Sequence, residues 1–201
     1  KPPDVNTSVY KFKAKDGAII YGMGAIKGVG EGAIEAIIEA REQGGPFESF
    51  QDLCTRVNLR KVNKRTLEAL IRAGAFDQLH DNRRQLLDGM EQVVKAADQM
   101  SKDKDSGQFD LFGNATGNSS YQSIQLPVVQ EDPLLDRLLA EKTVTGTFLT
   151  DHPLRMAASW LSHVTTFELA KLQEMNIRNA KQKEYRVLGL VTGTRPGFRG
   201  K

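Results

Sequence analysis

One cysteine in 201 residues rules out an internal disulfide framework, and the lone thiol suits a reducing, cytoplasmic setting. No apolar run approaches the length of a membrane span and no signal-peptide pattern opens the chain, so a membrane is not among the expected partners. Histidine is scarce: His80, His152 and His163 are scattered without metal-ligand spacing. No Ser/His/Asp set or carboxylate pair can be assembled by spacing either, so no residue here is expected to be catalytic or to ligate a metal. The chain has no initiator methionine. It opens on Lys1-Pro2-Pro3 and stops at Lys201 just after a strand-like stretch, which reads as a part of something longer. Its 39% hydrophobic and 26% charged content is ordinary for a globular protein of one large or two small domains.

Net charge is also low, at +3, but it is unevenly placed. Between Arg56 and Arg84 stand eight basic residues (Arg56, Arg60, Lys61, Lys64, Arg65, Arg72, Arg83 and Arg84) against three acidic ones, and the ratio repeats from Glu168 to Lys201. Two such patches suggest a polyanion met by selected faces, although a solvated helix face gives the same pattern.

Periodicity predicts a mainly α fold. Residues 1–24 read as extended, with Val9, Tyr10 and Phe12 and then Ala18 to Tyr21. A helix carries Ile34, Ile37 and Ile38 and stops at Gly44-Gly45-Pro46. Ser49 is a cap for the next, with Asp52 as its partner and Phe50, Leu53, Cys54 and Val57 as its apolar stripe; Cys54 is thus a buried structural thiol. A turn at Asn58–Asn63 leads to a helix with Leu67, Leu70 and Ile71, ended by Gly74, and a longer helix spans Arg83 to Ala97. Residues 99–131 have the composition of a flexible linker. Asp132 as cap and Pro133 open a further helix, others follow near Pro153 and Thr166, and Tyr185 to Thr192 alternate like a β-strand.

Two motifs carry chemistry. In Ala25-Ile26-Lys27-Gly28-Val29-Gly30, glycines turn backbone amides outward and keep side chains from blocking a phosphate, while the following helix adds its positive N-terminal end. This resembles the hairpin of a helix-hairpin-helix DNA-binding module, with Lys27, Gly28, Val29 and Gly30 on the phosphates and no base-specific contact. A plain glycine turn is the simpler alternative; a P-loop lacks its Lys-Ser/Thr here. Ser49 to Ile71 repeats the plan without glycines. There Arg60, Lys61, Lys64 and Arg65 could reach phosphates with long side chains, or the copy could be a structural partner of the first.

The second motif is Gln108-Phe109-Asp110-Leu111-Phe112, three apolar side chains in a polar stretch that has no other use for them. Either a partner supplies the pocket or the loop tucks them into its own core. The pattern resembles the short peptide by which bacterial replication proteins grip the sliding clamp, Leu111 and Phe112 filling one pocket and Gln108 bonding beside a second; Phe109 departs from the more usual Leu.

Taken in order, Pro2-Pro3-Asp4-Val5-Asn6, Tyr21-Gly22-Met23-Gly24 running into the first hairpin, Gly45-Pro46-Phe47, Arg60 to Arg65, Leu70 to Asp77, and Glu141-Lys142 through Gly146 to Pro153 resemble the alpha subunits of bacterial DNA polymerase III, the C-family replicative polymerases. The resemblance implies the end of a fingers region over 1–24, a tandem helix-hairpin-helix domain over 25–98, a clamp-binding linker over 99–131, a helical connector over 132–183 and an incomplete start of an OB-fold over 184–201. It implies duplex DNA, the sliding clamp and other polymerase holoenzyme subunits as partners. The parent family is a DNA-directed DNA polymerase whose two divalent metal ions, of the magnesium kind, sit in a palm domain that no stretch here matches; no cofactor is expected in this chain. The alternative is a helix-hairpin-helix module of a repair or recombination protein with the linker motif buried in its own core, and behind it a scaffold without nucleic acid. Clamp binding separates the first reading from the others, and polyanion binding separates the last.

Overall fold

The computed structural model describes residues 1–105, 124–157, 163–165 and 186–191, and it is mainly helical. The clamp-like peptide Gln108–Phe112 and most of the 168–201 basic patch lie outside the described residues. The chain divides into two compact units, Lys1–Thr150 and Asp151–Lys201.

The first unit begins with a turn in which the Asp4 carboxylate accepts from the amides of Asn6 and Thr7, and the Val5 amide donates to the Ala75 carbonyl at 3.0 Å. Strands β1 (Lys13–Lys15) and β2 (Ala18–Ile20) then form an antiparallel hairpin, Lys13 opposite Ile20. The extended reading of this stretch is refined here: Asp16-Gly17, both at positive φ, make the two-residue turn that closes the strands on each other. A 3-10 turn, Met23–Ala25, leads into the first glycine hairpin. A side chain at Gly22 would sit 2.6 Å from the backbone of Tyr10 and Lys11, so only glycine lets the two segments lie this close.

Four helices follow in quick succession. α1 (Glu31–Gly44) buries Ala33, Ile34, Ala36, Ile37 and Ala40 on one face. α2 (Phe50–Arg56) is capped as expected, the Ser49 hydroxyl accepting from the Asp52 amide. α3 (Lys64–Arg72) is capped by Asn63, whose side chain accepts from the Thr66 amide. α4 (Arg83–Asp105) runs beyond the expected end at Ala97. Its last turns are polar, yet they are stitched by i,i+4 ion pairs such as Lys95–Glu91 and Lys102–Asp98. After residue 123 the chain resumes as a strap on the same helices. The Ile124 amide donates to Gln51, Gln85 and Asn82 side chains donate to the Pro127 and Val129 carbonyls, and Leu126 covers Gly89. The described end of the stretch read as linker, residues 124–131, is therefore held by side chains that composition could not reveal. α5 (Leu134–Thr145) starts one residue later than expected, with Pro133 rather than Asp132 at the cap.

One apolar core joins all of this: Val5, Tyr21, Met23, Ile34, Ile37, Phe47, Leu53, Leu67, Leu70, Phe76 and Leu86 are among its buried members, each large aliphatic or aromatic side chain contributing about 1.5–3 kcal/mol. Cys54 lies within it, and burial pushes its thiol up to about 12, which leaves it protonated and inert.

Beside the core sits a buried polar cluster. Arg83 donates to both oxygens of Asp77 (2.8 and 2.6 Å), to the Arg72 carbonyl and to Glu141 on α5. Glu141, with no exposed surface, also accepts from the amide and hydroxyl of Thr150 and from the Leu149 amide. Every charge there is paired, as burial demands.

In the second unit a 3-10 turn spans Pro153–Ala157, and His152 serves as its cap: its Nδ1 accepts from the Leu154 amide at 3.2 Å. The expected strand over Tyr185 to Thr192 does not appear in its described part, 186–191, where Val187 and Val191 are exposed. Alternation alone gives a strand no partner to pair with.

Candidate nucleic-acid interface

The glycine hairpin and the second hairpin meet side by side. Gly28 adopts φ +90°, a conformation that favours glycine. Its carbonyl accepts from the Thr66 hydroxyl of α3 at 3.4 Å. A methyl group added there would lie 3.7 Å from Ala69 Cβ and 3.9 Å from Arg65 Nε, so the second hairpin's helix flanks the first hairpin's turn. Gly30 caps α1 without a side chain, and nothing lies within 4 Å of where its Cβ would be. Among the described residues the amides of Gly28 and Gly30 have no protein acceptor. They are exposed donors at the positive end of a 14-residue helix, an arrangement suited to an oxyanion.

Lys27 behaves differently at its two ends. Its amide donates to the Val144 carbonyl at the end of α5, at 2.8 Å, while its side chain is exposed. The turn is fixed from behind by Tyr21 as well, whose hydroxyl donates to the carbonyls of Thr145 (2.8 Å) and Ala25 (3.4 Å). Val29 points into the core, 8% exposed, and its amide is used by Ile26. It anchors the turn, so its side chain is not available to a ligand.

An open groove of about 340 Å³ joins the two hairpins, lined by Gly28, Gly30 and Gly32 from the first and by Lys61, Asn63 and Thr66 from the second. Asn63 and Thr66 were not singled out from the sequence. The signal was present in the cap spacing of Asn63 to Thr66, which serves α3 and shapes the groove wall at once.

The second hairpin's cations divide. Arg60, Lys61 and Arg65 are exposed and enter no ion pair among the described residues. Lys64 is paired with Glu91 of α4 at 3.2 Å. Glu91, hydrogen-bonded by Lys95 and then by Lys64, is held below its ordinary value. The basic count of the Arg56–Arg84 stretch therefore overstates the free charge. Arg83 is buried in the polar cluster, and Arg56 lies over the Phe47 ring at 4.6 Å and donates to the Ala40 and Gly45 carbonyls. Arg84 pairs with Asp88, and Arg72 with Glu68. What remains free is concentrated around the two turns.

Comparison with known proteins agrees with this geometry. The helix-hairpin-helix motif family matches residues 1–86. The chain is 40% identical over 197 residues to the DNA polymerase III subunit alpha of Pasteurella multocida, covering 96% of this chain and 16% of that protein. It is 40% identical over 223 residues to that of Pseudomonas aeruginosa (94% and 19%) and 46% identical over 159 residues to that of Escherichia coli K12 (76% and 13%). The chain thus spans less than a fifth of the length of the curated relatives it matches.

Proposed function

The chain belongs to the family of bacterial DNA polymerase III alpha subunits, and from that premise we propose that it holds duplex DNA for a replicative polymerase and tethers that polymerase to a sliding clamp. Duplex phosphates lie in the groove between the hairpins. The Gly28 and Gly30 amides and the Lys27 ammonium contact one strand's backbone, and Lys61, Arg60 and Arg65 reach neighbouring phosphates. The observation that carries this reading is the pair of glycine amides at the start of α1 that have no acceptor among the described residues, facing a groove whose other wall carries Lys61, which enters no ion pair among the described residues. Such contacts are sequence-independent and fall steeply with salt.

The variant Lys27→Glu/Gly30→Glu tests it. Gly30 has an extended backbone and open space, so a glutamate there leaves the fold intact while placing a carboxylate in the groove. Duplex affinity, read by fluorescence anisotropy, should drop at least tenfold at low salt; a folded variant with unchanged affinity removes the groove from consideration.

For the clamp, the support is the Gln108–Phe112 pattern within a chain of this family. Surface plasmon resonance against a bacterial sliding clamp should show binding that Leu111→Ala/Phe112→Ala abolishes. No binding by either protein would point to a linker motif buried in its own core, and equal binding by both would place the clamp contact elsewhere in the chain.

A further inference from the structure

A second depression, about 390 Å³, shares Gly28 with the groove and lies between α3 and α5. Its floor and walls are Gly28, Ala69, Ala140, Thr143 and Val144, and its rim carries Lys27, Arg65 and Arg72 against one carboxylate, Glu68. Lys27 and Arg65 have no ion pair among the described residues. Arg72 binds Glu68 through Nε and Nη2, at 3.0 and 2.9 Å, which leaves Nη1 without an acceptor among the described residues. Three cations around one carboxylate give the trough a net charge of +2, although α5, which forms its far wall, was no part of either sequence motif.

We infer that this trough is a second oxyanion site, taking a phosphodiester of the same DNA backbone that crosses Gly28. The inference rests on the DNA-binding reading and extends it: Arg72 and the α5 wall become part of the interface. The two depressions share Gly28 as their common ridge. A strand that leaves the first groove over Gly28 meets the trough next. Lys27 stands at the ridge, Arg65 spans from the second hairpin, and Arg72 closes the far end. The carboxylate of Glu68 limits the trough to one singly charged phosphodiester by turning one edge of Arg72 away.

The test is the salt dependence of the intact 201-residue chain on a short labelled duplex. Each phosphate contact adds a slope of about 0.9 in log–log form, so removing one contact shrinks the affinity lost between about 50 and 200 mM salt by roughly 3.5-fold. Arg72→Gln should show that reduction, and Glu68→Gln should bind more tightly than the unaltered chain with no smaller slope. Both sites are partly exposed, so thermal midpoints should stay close to that of the unaltered protein. An Arg72→Gln protein with the full slope overturns the trough while leaving the groove standing. If the unaltered chain shows no duplex affinity, the groove and the trough fall together, before any variant is made.

Discussion

The two hairpins solve one geometric problem, a tight turn between helices, with different materials. The first uses glycine: Gly28 at positive φ and Gly30 as a cap without a side chain leave amides bare, and the turn is steadied from outside by Val144 and Tyr21. The second uses asparagine. Asn58 accepts from the Arg60 amide through its side chain and from the Lys61 and Val62 amides through its carbonyl, Asn63 caps α3, and Val62 is fully buried beneath them, so the central amides of this turn are satisfied within it. Bare backbone suits close approach of a phosphate; a finished turn can offer only side chains. The first hairpin's exposed donors come with dependence on a distant helix, and the second's independence comes with a surface of long cations.

The sharpest way to break this contrast is through α5. Glu141→Ala would leave Arg83 buried beside Asp77 alone and strip the Leu149 and Thr150 amides of their acceptor. Loss of one partner of a buried pair costs about 3–5 kcal/mol, measurable by urea unfolding. If the protein tolerates Glu141→Ala with under about 1 kcal/mol lost, the Arg83–Glu141 pair does not hold α5 in place. Next in size is Gly28→Ala. Ordinary contact distances surround the added methyl, so the cost is conformational, about 1–2 kcal/mol. A stability equal to that of the unaltered chain would contradict the strained turn. Asn63→Ala should cost about 1 kcal/mol by loss of the α3 cap, with the first hairpin's amide exchange protection unchanged.

The smallest effect is Lys64→Gln, since that lysine is engaged with Glu91 at the surface: almost no change in stability, and a weaker effect on duplex affinity than Arg65→Gln. The pairing holds at neutral pH. Glu91 is held below its ordinary value by Lys95 and Lys64, so its contribution is present above the usual carboxylate range and fades only as pH falls through that lowered value. The Glu91 carboxyl resonance, followed by NMR, should report this loss. Equal losses of affinity for Lys64→Gln and Arg65→Gln would erase the distinction between engaged and free cations.

What the sequence disclosed was local. The glycine spacing at 28 and 30, the Ser49–Asp52 cap and the stripe of α1 are all decided within one or two helical turns, and each is found where periodicity and capping put it. What it hid was long-range pairing. Arg83 and Glu141 are 58 residues apart, and as isolated letters each looks like surface charge. The strap after residue 123 has no visible partner in the sequence because its anchors, Gln51, Asn82 and Gln85, are elsewhere in the chain. The Asp16-Gly17 turn was legible, and only the absence of a long strand on either side disguised it. The count of basic residues misled for the same long-range reason: Arg56 and Arg83 are structural, and only packing tells them from Arg60 and Arg65.

The bond from Tyr21 to the Thr145 carbonyl bridges 124 residues, and that separation has a meaning in time as well as in space. A ribosome adding about 5–20 residues per second takes roughly 6–25 s to travel between them. Once Arg72 has been made, the asparagine hairpin can close on its own, while the glycine hairpin still waits for an α5 not yet synthesised. The nascent chain thus passes through a stage at which its charged turn is finished and its bare-amide turn is still open.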